Sequence, residues 1–165
     1  MIKLAGILIC LVAISGCSAR YSFTGGQFSG AKTFSVEYFK PQTALASQVY
    51  AQRFTETLKE QLLSQSPLQL AESGGELSYK GSVTDYRITP VATQANETAA
   101  LNRLTITIKV KYTNTLESDL SFDKTFSRFA DFEASQDLFS VEEPLWSEIN
   151  DQLAQDVYNA SVGNW

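Results

Sequence analysis

The stretch Arg103 to Lys111, RLTITIKVK, constrains the fold more than any other. Leu104, Ile106, Ile108 and Val110 alternate with Arg103, Thr105, Thr107, Lys109 and Lys111. A period of two over a run of this length describes a strand with hydrocarbon on one face and polar groups on the other. Such a strand belongs to a sheet that other elements must cover on one side only. Three cations face the opposite side, in a chain whose formal net charge is −5.

The flanking sequence supplies the cover. From Ser47 to Ser64, Ala51, Phe54, Leu58 and Leu62 recur at spacings of three and four, opposite Gln52, Arg53, Glu56, Lys59 and Glu60. That spacing predicts an amphipathic helix, which Ser66-Pro67 ends. A second helix runs from Val141 to Ala160, with Leu145, Ile149, Leu153 and Val157 inward and Glu142, Glu143, Glu148, Asp151 and Asp156 outward. At its start, either Ser140 and Glu143 form a capping box or Pro144 is the first helical residue.

The remaining segments read as strands and turns. KTFSVEYF (32–39) is a first strand that buries Phe34, Val36 and Tyr38 and stops at Pro41. Leu68 to Ala71 is a short edge strand, Gly74-Gly75 a turn, and residues 77–89 a longer strand on which Leu77, Tyr79 and Val83 share a face. Tyr86 and Ile88 fall on the other face unless a bulge intervenes near Gly81 or Asp85. Residues 90–102 have no period and read as a long loop. Residues 120–130 form the hairpin partner of the opening strand, with Leu120, Phe122 and Phe126 inward. Lys124 and Arg128 would share that face, which leaves the register open. Two helices cover one face of such a sheet, so the expected fold is an α+β two-layer sandwich, with about four mostly antiparallel strands in the order β-α-β-β-β-α.

The first seventeen residues, MIKLAGILICLVAISGC, stand apart. The apolar run from Leu4 to Ile14 follows Lys3 and is too short to span a bilayer, which takes about 20 helical residues; it reads as the core of a signal peptide. Ile14-Ser15-Gly16-Cys17 resembles the lipobox of bacterial lipoproteins, which implies removal of residues 1–16 and lipidation of Cys17. Several acyl chains anchor stably where one does not, so the mature chain is tethered to a membrane and does not cross it. Ser18 stands where an inner-membrane retention signal places Asp, which points to the outer membrane. Residues 17–31 are rich in Gly and Ser but carry Tyr21, Phe23 and Phe28, and read either as a flexible tether or as a segment that partly docks. The sequon Asn96-Glu97-Thr98 would be used only in a eukaryotic secretory route, which the lipobox argues against.

Composition excludes most catalytic chemistry. There is no histidine, Cys10 leaves with the leader and Cys17 is acylated, so zinc sites, cysteine nucleophiles and Ser-His-Asp triads are ruled out, and no metal or cofactor is expected. GGQFSG lacks the spacing of a phosphate-binding loop or dinucleotide fingerprint, and the acids of the last helix lie on its solvated face. The chain therefore reads as a binding or assembly protein and not an enzyme. Without the leader its net charge is −6, which disfavours nucleic acid and generic anionic membranes. The balance is uneven: residues 80–128 carry seven basic against five acidic side chains, and residues 129–165 carry eight acidic and none basic. Any anion site is local. Arg103, Lys109 and Lys111 are its candidates, either as solvated residues or as contacts to the phosphates of an anionic lipid or glycolipid, each contributing about 1 kcal/mol.

GAKTFSVEYF (30–39), NETAALNRLTITIKVKYTN (96–114), FSRFADF (126–132) and the terminal Asn164-Trp165 together resemble the LptE family of lipopolysaccharide-assembly lipoproteins, in a branch outside the enteric bacteria. The resemblance implies a lipid anchor at Cys17, a tether over 17–31 and a family domain over 32–165, on the periplasmic side of the outer membrane. It implies a small sheet with two helices on one side, an LptD-type β-barrel as partner, and lipopolysaccharide as ligand. The alternative is a structural or adaptor lipoprotein of another envelope complex, with no lipid ligand.

Overall fold

The alternating stretch forms the centre of a six-stranded mixed sheet covered on one face by two helices. A computed structural model describes residues 28–91 and 100–163; the leader, Cys17, residues 18–27, the sequon and Asn164-Trp165 lie outside the described residues. The elements are β1 (Thr33–Val36), β2 (Lys40–Pro41), α1 (Gln48–Gln65), β3 (Gln69–Leu70), β4 (Leu77–Val91), β5 (Leu101–Asn114), β6 (Phe122–Glu133) and α2 (Leu138–Ser161). The sheet order is β3-β1-β4-β5-β6, with β2 extending the edge beside β4. β4, β5 and β6 form an antiparallel meander, whereas β1, β2 and β3 pair in parallel. This is the expected α+β sandwich, with six strands where about four were expected: β3 is the short edge strand read at Leu68 to Ala71, and β2 is the addition.

Leu104, Ile106, Ile108 and Val110 are all 0% exposed beneath the helices, each such side chain contributing roughly 1.5–3 kcal/mol by burial. β4 presents Leu77, Tyr79 and Val83 to the same layer. A register shift between Val83 and Asp85 brings Tyr86 onto that face too, so of the two expected bulge sites the one at Asp85 is used. α1 starts at Ser47, whose hydroxyl accepts from the Tyr50 amide at 3.0 Å, and it buries Tyr50, Ala51, Phe54, Leu58 and Leu62. Polar bonds tie the layers together inside the core. The Tyr50 hydroxyl donates to Asn150 Oδ1 (2.7 Å), Trp146 Nε1 donates to the Tyr86 hydroxyl (3.0 Å), and the Tyr79 hydroxyl donates to Ser161 Oγ (3.0 Å). Burial pushes the Tyr50 and Tyr79 hydroxyls well above the ordinary tyrosine range, so they remain neutral donors.

Several boundaries differ from the sequence reading. The first strand ends at Val36: Tyr38 turns outward, 54% exposed, and Phe39 takes the buried place instead. The cause is local pairing, because the Phe39 amide donates to Thr55 Oγ1 on α1 (3.1 Å) and the chain rejoins β4 at Lys40. The long loop is shorter than 90–102, since β4 and β5 stay paired as far as Val91 and Leu101. Leu120 lies in a short 3-10 turn before β6 and not in the strand. On β6, Phe122, Phe126 and Arg128 do face the helix layer, and the guanidinium of Arg128 resolves the charge conflict by forming a two-point ion pair with Asp156 of α2 (2.6 and 2.7 Å). α2 begins at Leu138, so Pro144 lies inside the helix and neither expected start is used.

Candidate functional site

The helix-free face of the sheet concentrates cations at one end. Strand register sets this arrangement. Lys40 pairs with Ser82 and Ser82 with Lys109, so these three stand in one row across β2, β4 and β5; Lys80, Lys111 and Asp123 form the neighbouring row. The four lysines line a single shallow cavity of about 290 Å³, with the Ser82 hydroxyl on its floor. Lys80 and Lys111 are direct cross-strand partners, a placement of like charges that weakens a sheet pair. Two acids partly offset the field: Glu37 approaches Lys80 at 3.9 Å and Asp123 approaches Lys109 at 3.3 Å. Among the described residues, Lys40 and Lys111 have no ion-pair partner.

Of the three residues singled out from sequence, Lys109 and Lys111 therefore meet in this cluster and Arg103 does not. Arg103 points to the same open face, but six residues at about 3.4 Å each place it roughly 20 Å from Lys109 along β5. Its guanidinium donates twice to Asp131 (2.7 and 2.8 Å) and stacks 3.6 Å from the Phe129 ring centre. The hydrogen bonds from Arg103 hold the Asp131 carboxyl below the usual aspartate range. Lys40 and Lys80 were not singled out by sequence reasoning. Their signal was weak, since Lys80 is an ordinary polar residue of an alternating strand, and its opposition to Lys111 depends on a register that a long connection does not specify.

Four flexible ammonium groups around a shallow, wet cavity suit a multiply charged oxyanion such as a phosphate group, which several point charges engage at once. Among the described residues, no group of three or more His, Cys, Asp or Glu side chains is placed to hold a metal, and no helix is long and apolar enough to cross a membrane.

A family model described as LptE, lipopolysaccharide-assembly, matches residues 31–161. No curated protein sequence matches the chain. Among solved structures, a hypothetical protein from Chlamydia trachomatis is similar with a TM-score of 0.52 and 8% identity, covering 81% of this chain and 99% of the other. An uncharacterized lipoprotein B from Nitrosomonas europaea gives 0.50 at 11% identity, covering 80% and 84%. A minor lipoprotein from Acinetobacter baumannii gives 0.49 at 19% identity, covering 78% and 91%. At these identities the first two matches speak to the fold alone.

Proposed function

Because the chain belongs to the LptE family of lipopolysaccharide-assembly proteins, we propose that it is the lipid-anchored subunit that partners an LptD-type β-barrel and binds lipopolysaccharide on its open sheet face. The observation that carries this reading is the family match across nearly the whole described domain. The anchor is Cys17, and it holds the domain on the periplasmic side of the outer membrane. The protein performs no turnover of its own; it supports assembly and function of the barrel. Phosphates of the glycolipid meet Lys109 and Lys111, joined by Lys40 and Lys80, while Arg103 is a separate and weaker contact because Asp131 already engages it.

Affinity purification of the full chain from native outer membranes tests the partner: a large β-barrel is expected to co-purify, and recovery only as a free monomer would sink the proposal. The ligand is tested by Lys109→Glu with Lys111→Glu. Lipopolysaccharide binding is expected to weaken more than about tenfold at low salt, with the difference from the unaltered chain narrowing at high salt. Stability should stay within roughly 0.5 kcal/mol, as for most exposed substitutions. A second reading, an adaptor of another envelope complex whose cations are merely solvated, draws support from the pairing of Arg103 with Asp131 and Lys109 with Asp123. It expects no change in lipopolysaccharide capture from the same double variant.

A further inference from the structure

Beside the lysine cluster lies a second cavity, of about 570 Å³, bounded by Val36, Tyr38, Leu70 and Ala71, with Lys59 and Glu72 at its rim. The two cavities share Glu37, Tyr38 and Lys40 as lining, so they adjoin: the first opens on the helix-free sheet face, and the second is a trough at the edge where β1, β3 and α1 meet. Their chemistry differs. The first carries four lysines against two acids; in the second Lys40 and Lys59 are balanced by Glu37 and Glu72, around the buried Val36 and two exposed apolar side chains, Leu70 at 44% and Tyr38 at 54%. Tyr38 is held in place from the helix side, with Lys59 Nζ 5.2 Å from its ring centre and its hydroxyl 3.4 Å from Glu56 Oε1. The edge strand β3 has only two residues, which leaves Leu70 uncovered.

From this adjacency we infer that the trough takes one acyl chain of the same anionic amphiphile whose phosphate sits on the lysines. The inference rests on the ligand reading above and adds to it a second contact of opposite polarity. The size agrees, since pockets of about 300–1,000 Å³ enclose small organic ligands. The charge complementarity also fixes the direction of the ligand: head group over Lys40, Lys80, Lys109 and Lys111, chain running past Tyr38 toward Leu70. A free phosphate would use only the first half. A site of this kind discriminates an acylated phosphate from a soluble one by the apolar half.

The probes are n-alkyl phosphates of four, eight and twelve carbons, below their micelle concentrations, titrated onto the full chain held in zwitterionic nanodiscs. Each methylene that enters the trough is expected to tighten binding by up to roughly fourfold. Leu70→Gln, at a residue that lines the trough and not the lysine cavity, is expected to remove most of that gain while leaving butyl phosphate affinity and the thermal midpoint unchanged. Lys109→Gln with Lys111→Gln should weaken all three probes by one common factor. Binding of every probe with equal affinity overturns the inference and leaves the phosphate reading standing. A chain-length gain that survives Leu70→Gln places the chain elsewhere and also overturns it. Failure of all three probes to bind overturns both readings.

Discussion

Gly81 illustrates how much one position on β4 carries. An added Cβ would collide with the Lys109 carbonyl and with the Phe39 ring, which packs onto the bare backbone there. Gly81→Ala is therefore expected to cost about 1–3 kcal/mol, read from urea denaturation; a loss below about 0.5 kcal/mol would show that β4 and β5 can separate without penalty. Asp131 and Glu76 are two carboxylates with a defined pH signature. Arg103 lowers the first, and the amides of Lys32 and Thr33, donating to Glu76 at 2.6 and 3.1 Å, lower the second. A group whose folded pKa is depressed contributes stability that is complete above its unfolded value, about 4 for these side chains, and is lost as pH falls through the folded value. Acid unfolding followed by circular dichroism should accordingly lose part of its slope in Asp131→Asn with Glu76→Gln. An unchanged profile would mean that neither carboxylate is engaged in solution.

Among the elements, α2 departs furthest from its sequence signals. Ser140, Glu143 and Pro144 all mark a start near residue 141, yet the helix begins at Leu138. Leu138 and Val141 pack against the core, and that burial draws the helix back past the proline. Ser140 donates its hydroxyl to the Asp137 carbonyl at 2.6 Å, and Asp137 itself makes no side-chain cap bond. Pro144 has no amide to continue the helical ladder, so Pro144→Ala is expected to stabilise the domain by about 1–3 kcal/mol, visible as a rise of several degrees in thermal midpoint. No rise would indicate that the first turn gains nothing from an unbroken ladder. β1 teaches the converse lesson. Its alternation runs on to Tyr38, but pairing with β4 lasts only to Val36, and the hydrogen bond from Phe39 to Thr55 reverses which aromatic is buried.

The whole molecule is a one-sided sandwich: helices and hydrocarbon on one face, a polar sheet on the other. The proposed ligand face is the uncovered one, where stability and binding would oppose each other. Lys80 and Lys111 sit opposite one another, which costs a sheet roughly 0.2–1 kcal/mol relative to a neutral pair. Lys111→Thr is thus expected to raise stability by up to that amount at low salt, with the gain fading at high salt, while alkyl phosphate affinity falls. Denaturation at two ionic strengths, alongside the binding titration, checks both halves; loss of stability in Lys111→Thr would show that the lysine is structural.

Two features were legible from residue order alone. The alternation of residues 103–111 and the spacing of three and four in 47–64 prescribed a half-buried sheet and a covering helix, because side-chain direction follows backbone periodicity whatever the partners are. The lack of histidine removed histidine-dependent zinc sites and Ser-His-Asp triads from consideration. Which cations meet is a different matter. Lys40, Lys80, Lys109 and Lys111 come from three strands, and they share one cavity only because parallel pairing of β2 and antiparallel pairing of β5 on β4 bring them into adjacent rows. Register across a sheet is a long-range choice, set by core packing and not by local pattern. The same packing sent Arg103 to Asp131 and opened the trough beside Tyr38.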